Sequence, residues 1–275
     1  VARDYKLILS TGQLKKVVKE MEKSGEFAVD TETTSVDPIT AGLVGISLSC
    51  KDHTGYYIPL AHTQDDLLAE PIDAMIPMLE ALNILRPLLE NPEIGKIGHN
   101  IKYDAIVLAN AGIGLEGITL DTMLASYLTD ASRVRHNLGE VSLKYLRCKM
   151  IPISDVIGTG SKAITFDKVP LGVACEYAAE DADITWRLSA IFQKSLKQEN
   201  LEDLFNEVEL PLLHVLMRME MKGWLKHQVV GRTFMYTPAL PPEAVIGQAV
   251  SHRSNSSAGA YRWLPGQSPV RDGLL

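Results

Sequence analysis

Five side chains stand out for what they can do together: Asp30, Glu32, Asp104, Tyr177 and Asp181. Asp30 and Glu32 close the stretch Phe27-Ala28-Val29-Asp30-Thr31-Glu32-Thr33, which is apolar at Phe27 and Val29 and reads as a short strand. Side chains alternate along a strand, so the two carboxylates project from one face. Carboxylates held that close repel each other, and a divalent cation is the usual remedy. Asp104 ends Asn100-Ile101-Lys102-Tyr103-Asp104, in the first turn of a helix that follows a short strand. Tyr177 and Asp181 stand at i and i+4, on one face of a second helix. Four carboxylates and a phenol, from one strand and two helices, can therefore converge on one cation-binding cleft.

The elements that must position them follow from periodicity. Lys6 to Leu9 is a first strand, and Ser10 with Gln13 forms a capping box for a helix whose Leu14, Val17, Val18 and Met21 share one face. Ser24-Gly25 stops that helix. Leu43 to Cys50 and Tyr56 to Leu60 are further strands joined by a short loop, which makes an antiparallel meander with the Asp30 strand. Asp73 to Leu89 is helical in pattern, with Pro77 at its first turns or as a kink. Strand and helix then alternate: Lys96 to His99, Ile101 to Ala111, and a strand–helix unit over Ile118 to Leu128. That alternation predicts parallel additions to the same sheet. Arg133 to Ile164 is mixed, with a short helix at Leu143–Leu146. Pro170 opens a long helix to about Lys197. A last helix, Glu202 to Met221, carries Leu204, Val208, Leu212, Val215 and Met219 at irregular but helix-like spacing.

Length and composition bound the rest. The 275 residues suffice for one large domain with an appendage, and no apolar window is long enough for a membrane span. Cys50, Cys148 and Cys175 have no metal-ligand spacing and are read as reduced, small hydrophobic side chains. The net charge of −7 is uneven. Residues 224–275 hold five Lys/Arg against two Asp/Glu, leaving 22 against 32, a balance of −10, for residues 1–223. So acidic a body is not one that coats duplex nucleic acid by neutralising phosphates. It can act on nucleic acid where metal ions supply the positive charge. Five Pro, five Gly and five Ser in residues 224–275, without sustained periodicity, read as a divergent, disordered tail.

With these motifs in order, the sequence resembles the 3′→5′ exonuclease domain of the bacterial DNA polymerase I family, a tyrosine-type DEDD exonuclease. The resemblance rests on Asp30-Thr31-Glu32-Thr33, Asn100-Ile101-Lys102-Tyr103-Asp104 and Tyr177-Ala178-Ala179-Glu180-Asp181-Ala182-Asp183. Asp121-Thr122-Met123 and Ile164-Thr165-Phe166 add to it, and it extends over residues 1–223. It implies an α/β, ribonuclease H-like fold: a mixed sheet, an antiparallel meander plus parallel strands, flanked by helices. It implies an exonuclease domain over residues 1–200, a helix resembling the start of the polymerase part over 201–223, and the tail beyond.

The mechanism implied is two-metal phosphodiester hydrolysis at a 3′ end with Mg²⁺ or Mn²⁺. By similarity Asp30, Glu32 and Asp181 hold the first metal, Asp30 bridges to the second, and Asp104 supports the second through water. Tyr177 holds the attacking water, with help from Glu32. A phenol titrating near ~10 is a poor base, so its role is orientation. Val36, Asn100, Tyr103 and Phe166 are the implied substrate contacts, Val36 as a wedge smaller than the family's common Leu and Phe166 as a stacking ring. The partners implied are single-stranded or frayed DNA 3′ ends and the rest of a DNA polymerase I, with the chain a monomer, acting at the nucleoid in the bacterial cytoplasm.

Blander readings stand beside these. Asp121 is a first-turn carboxylate, His99 a strand-end packing residue, and Asp183 a neighbour of the site and not a ligand. His136, Arg133 and Arg135 form either a DNA-backbone contact or a solvated basic loop. Two alternatives remain for the whole chain: a ribonuclease D-type RNA exonuclease, or a catalytically inactive scaffold domain of a polymerase. Nothing past Gly223 reads as a polymerase palm, fingers or thumb, and the tail reads as unrelated sequence, as from an out-of-frame read. No templated synthesis is expected, and a primer-extension assay on the purified chain checks this.

Overall fold

The computed structural model describes residues 2–63, 75–230, 233–241 and 244–245. The chain divides into two compact units, residues 1–210 and 211–275.

The first unit is built on a six-stranded mixed sheet in the order β1-β4-β3-β2-β5-β6. Its strands are β1 (Asp4–Leu7), β2 (Glu26–Thr33), β3 (Leu43–Ser49), β4 (Thr54–Pro59), β5 (Gly95–Gly98) and β6 (Ile118–Asp121). The expected meander is present, since β2–β3 and β3–β4 are antiparallel. The parallel additions are present as well, in β2–β5, β5–β6 and β1–β4.

Local sequence explains the helices. In α1 (Thr11–Ser24) Ser10 and Gln13 form the full capping box, Leu14, Val17, Val18 and Met21 are buried, and Gly25 closes the helix at φ 75°. For α2 (Met78–Leu89) Pro77 is the N-cap residue, so the helix starts after this proline; the expected start at Asp73 lies outside the described residues. Next come α3 (Ile101–Asn110) and α4 (Thr122–Thr129). The helix expected at Leu143–Leu146 is longer, α5 (Leu138–Leu146), because the Asn137 side chain caps it by accepting the Glu140 N–H. A five-residue helix, α6 (Ile153–Ile157), was not expected.

The 28-residue α7 (Leu171–Gln198) lies across the sheet and packs on β1 to β5. Closeness is possible because β4 offers Gly55: a Cβ there would sit 2.6 Å from the Ala179 carbonyl oxygen. Under α7, Ala28, Ile97 and Leu120 of the sheet meet Ile184, Leu188, Phe192 and Leu196. Ala28 shares its strand face with Asp30 and Glu32, so this packing brings α7 over the two carboxylates.

The helix expected as one piece over Glu202–Met221 is interrupted. A short α8 (Glu202–Leu204) runs into a π-helical turn at Phe205–Glu209, followed by α9 (Leu210–Met221). Of the apolar residues read along it, Leu204, Val208, Leu212 and Val215 are exposed. Leu201, Phe205 and Leu210 pack on the core of the first unit instead. Their spacing of four and then five is what a π turn permits, and the extra residue rotates the face.

In the second unit α9 is followed by an antiparallel hairpin of β7 (Leu225–Val230) and β8 (Thr233–Pro238). At these strands the chain differs from the disordered tail expected over residues 224–275; residues 246–275 of that tail lie outside the described residues. Val229, Val230, Thr233, Phe234, Tyr236 and Thr237 are strand-favouring residue types that the Pro/Gly/Ser content of the segment conceals. The His227 ring nitrogen Nδ1 lies 2.7 Å from Glu220 Oε2. Among the described residues no helix is long and apolar enough to cross a membrane.

Candidate active site

Asp30 and Glu32 end β2 on the face that α7 covers, and Asp181 points to them from α7. One oxygen from each of the three carboxylates lies within 4.8 Å of the others. Glu32 is buried, while Asp30 and Asp181 are half-buried. Burial, then the charge of Asp181, holds the Asp30 carboxyl well above its ordinary range. Burial, then Asp30, Asp181 and Asp104 in turn, does the same to Glu32. Asp181 is pushed up to about 8 by burial and by Glu180 next to it. The charges acting on Asp30 and Glu32 are thus other carboxylates.

Asp104 approaches from α3. It is buried, and burial and Asp30 raise its pKa against the hydrogen bonds of Thr31, which lower it. Its Oδ1 accepts the Thr31 N–H at 2.9 Å and the Thr31 hydroxyl at 2.6 Å. Tyr177 is one turn before Asp181, and its phenol is held far above its ordinary pKa by burial and then by Asp181, Glu32 and Asp30. It stays protonated and can only donate or orient. Behind it the Phe166 ring lies 5.9 Å from Tyr177 and 6.0 Å from His62.

The remaining sequence candidates fall as follows. Val36 is 93% exposed on the loop between β2 and β3. Asn100 is the N-cap residue of α3 in the left-handed conformation at φ 64°, which asparagine tolerates better than most residues. The Tyr103 hydroxyl donates to the Ser35 carbonyl at 2.5 Å and lies 2.5 Å from the Thr33 hydroxyl, so this ring is tied to the base of the Val36 loop. Phe166, expected as a stacking ring, is only 4% exposed and shows no free face; it buttresses Tyr177. Asp121 is a cap, accepting the N–H groups of Met123, Leu124, Asn100 and Ile101, and so joins the starts of α3 and α4. His99 packs at the end of β5 with Nδ1 2.9 Å from the Thr122 hydroxyl. Arg133 donates to the Arg135 and Glu140 carbonyls, and His136 Nδ1 pairs with the Ser126 hydroxyl. All three cysteines are free, with Cys175 buried and Cys50 and Cys148 half-buried.

A buried Tyr57–His62 pair was not expected from the sequence. The His62 Nδ1 faces the Val169 carbonyl at 3.1 Å, so it carries the proton, and the Tyr57 hydroxyl donates to Nε2 at 2.7 Å. Gly45, paired across the sheet with Glu32, leaves the room that the Tyr57 ring occupies. The motif Tyr57 to His62 carried no periodic signal beyond that of a core strand.

A scan against protein-family models matches residues 5–197 to one described as 3′-5′ exonuclease. The chain belongs to the 3′-5′ exonuclease family. DNA polymerase I of Pseudomonas aeruginosa is 40% identical over 225 residues, which cover 81% of this chain and 24% of that protein. DNA polymerase I of Rhizobium leguminosarum is 39% identical, covering 80% and 23%. This chain thus spans about a quarter of the length of these relatives, and is a 3′-5′ exonuclease domain of the DNA polymerase I type. Among solved structures, ribonuclease D of Escherichia coli superposes with a TM-score of 0.58 at 17% identity, over 80% of this chain and 53% of that one. The fold is ribonuclease H-like.

The carboxylates fit the divalent metal that such a nuclease uses. Glu32 Oε1 is buried and has no hydrogen-bond partner, and it belongs to the trio whose oxygens converge. Hard oxygen donors in this number suit a hard divalent cation over softer ions.

Proposed function

We propose that this chain removes nucleotides from DNA 3′ ends by metal-dependent hydrolysis, the proofreading activity of a DNA polymerase I. The observation that carries the reading is the convergence of Asp30, Glu32 and Asp181, with Asp104 and Tyr177 at its edges. Asp30, Glu32 and Asp181 would hold one divalent ion, and Asp30 and Asp104 a second. Bound Mg²⁺ or Mn²⁺ supplies charge neutralisation at the phosphate and makes hydroxide accessible near neutral pH.

The chain's own residues do the rest. Tyr177 keeps its proton and orients the attacking water, and Phe166 keeps the phenol in place. Water oxygen bonds to phosphorus, the bond from phosphorus to the preceding 3′ oxygen breaks, a proton passes to that oxygen to leave a 3′ hydroxyl on the shortened strand, and a nucleoside 5′-monophosphate leaves. Val36, exposed on the loop after β2, would part the last base pair, and Asn100, at the start of the helix that carries Asp104, would face the strand. Tyr103 sets the Val36 loop. Unpaired or frayed ends suit a cleft that must reach the scissile phosphate at the strand terminus. We place the activity in the bacterial cytoplasm, at the nucleoid, with the chain acting as a monomer or as part of a longer polymerase.

The test is release of mononucleotides from single-stranded DNA and RNA of one sequence. Expected is chelator-sensitive release that is faster on DNA, and a loss of more than ~100-fold in Asp30→Ala, beyond what outer-shell changes cost. Faster digestion of RNA would move the chain to the ribonuclease D reading. An Asp30→Ala variant as fast as the parent would remove the metal assignment.

A further inference from the structure

The strand that carries Asp30 and Glu32 has two threonines in alternation with them, Thr31 and Thr33, and the metal reading above gives them no part. Thr31 sits where the sheet divides. On one side β2 pairs with β3 through Thr31↔Ile46, and on the other β5 pairs with β2 only as far as Ala28↔Ile97. Beyond Ala28 that edge of β2 is open, and the Thr31 N–H has no strand acceptor. An inward N–H without a partner is costly. Asp104, on the helix that follows β5, fills the slot. Its Oδ1 accepts the Thr31 N–H at 2.9 Å and the Thr31 hydroxyl at 2.6 Å.

We infer that Thr31 is a positioning residue for Asp104, resting on the metal site proposed above: it clamps Oδ1 and leaves Oδ2 as the oxygen that serves the second ion. Two short bonds to one oxygen, from a backbone and a side chain of the same strand residue, fix both the place and the rotation of the carboxylate. They also tie it to the strand that bears Asp30, so the two groups that would share the second ion move as one body. The same strand grips α3 once more through Thr33, whose hydroxyl lies 2.5 Å from that of Tyr103, the residue before Asp104. With one oxygen committed, Asp104 gives this ion little hold, and phosphate oxygens of the nucleotide must supply further ligands. The second ion is therefore the one that senses Thr31.

The test counts Mn²⁺ bound to the full chain by electron paramagnetic resonance, with and without deoxynucleoside 5′-monophosphate. Wild type, Thr31→Val, Thr31→Ala and Thr31→Ser are compared, and each is melted in parallel. Expected is one ion without nucleotide and two with it in wild type. In Thr31→Val and Thr31→Ala the affinity for the second ion falls by ~10–100-fold, the usual effect of a lost outer-shell partner, while the first ion is unchanged. Thr31→Ser restores the second ion. Equal affinity for both ions in Thr31→Val and wild type would overturn the inference and leave the metal site standing. Unfolding of both hydroxyl-free variants would also overturn it, since the hydroxyl would then hold the fold and not the ion. A wild-type chain that binds no Mn²⁺ would remove the metal site itself, and Thr31's part with it.

Discussion

Along α7, three carboxylates within four residues have opposite surroundings. Glu180 is fully buried, with Arg3 Nη1 2.6 Å from its Oε1 and the Ile151 N–H donating to Oε2 at 2.6 Å. Asp183 is fully buried as well, and accepts from the His53 N–H at 2.6 Å and the Tyr5 hydroxyl at 2.9 Å, with Arg187 at 3.6 Å. Between them Asp181 turns to Asp30 and Glu32, whose charges have its own sign. Glu180 and Asp183 are buried more deeply than the half-buried Asp181, so depth of burial does not mark the site. What marks it is several carboxylates sharing one volume, with the Tyr177 phenol as the hydrogen-bond donor to Asp181. Glu180 and Asp183 fasten the helix to β1, to the β3–β4 turn and to the segment after α5; Asp181 is what the fastening presents.

The contrast can be broken by exchanging charge for shape at each position. Asp181→Asn should lower mononucleotide release by more than ~100-fold, since a ligand is lost and not an outer-shell partner. Its metal-free melting temperature should hold or rise, because a repulsive charge has gone. Asp183→Ala should do the reverse. It strands a backbone N–H, a phenol and a guanidinium in the interior, and should cost about 3–5 kcal/mol by denaturant titration. Whatever fraction remains folded should still bind metal.

Tyr177→Phe removes a hydroxyl that orients and does not ligate. A fall of about 10–100-fold in kcat is expected, with metal affinity unchanged, measured by single-turnover digestion and Mn²⁺ titration. The smallest effect concerns pH. With folded pKa values of the site carboxyls raised, Asp181 to about 8, the folded chain holds protons between pH ~4 and ~8 that the unfolded chain has released. Metal-free stability should therefore fall as pH rises through that window. A loss of about 2 kcal/mol is expected by thermal melts in chelator, and addition of Mn²⁺ should reverse the trend.

Much of this was legible in the residues. Alternation placed Asp30 and Glu32 on one face, a one-turn spacing joined Tyr177 to Asp181, and the Ser10–Gln13 box fixed the first helix. The resemblance separated Asp181 from Asp183, but the partners that hold Asp183 were not legible. Both are acidic positions on one helix, and the donors that occupy Asp183 come from Tyr5 and His53, far away in the chain. The burial of Phe166 was hidden for the same reason, since His62 and Tyr177 flank it only after folding. The π turn at Phe205–Glu209 escaped because a helical pattern of 4-4-3 spacing fits Leu204 to Val215 equally well on paper. The β7–β8 hairpin was concealed by the composition of the segment around it.

Carboxylates that share one volume, and not buried ones in general, would make the metal centre. Mn²⁺ binding to Asp181→Asn and Asp183→Asn, each confirmed folded by its melt, tests it most directly, because the two variants remove the same charge two residues apart. Asp181→Asn is expected to lose Mn²⁺ binding by more than ~100-fold while Asp183→Asn stays near wild type. Equal losses in both, or retained binding in Asp181→Asn, would contradict it.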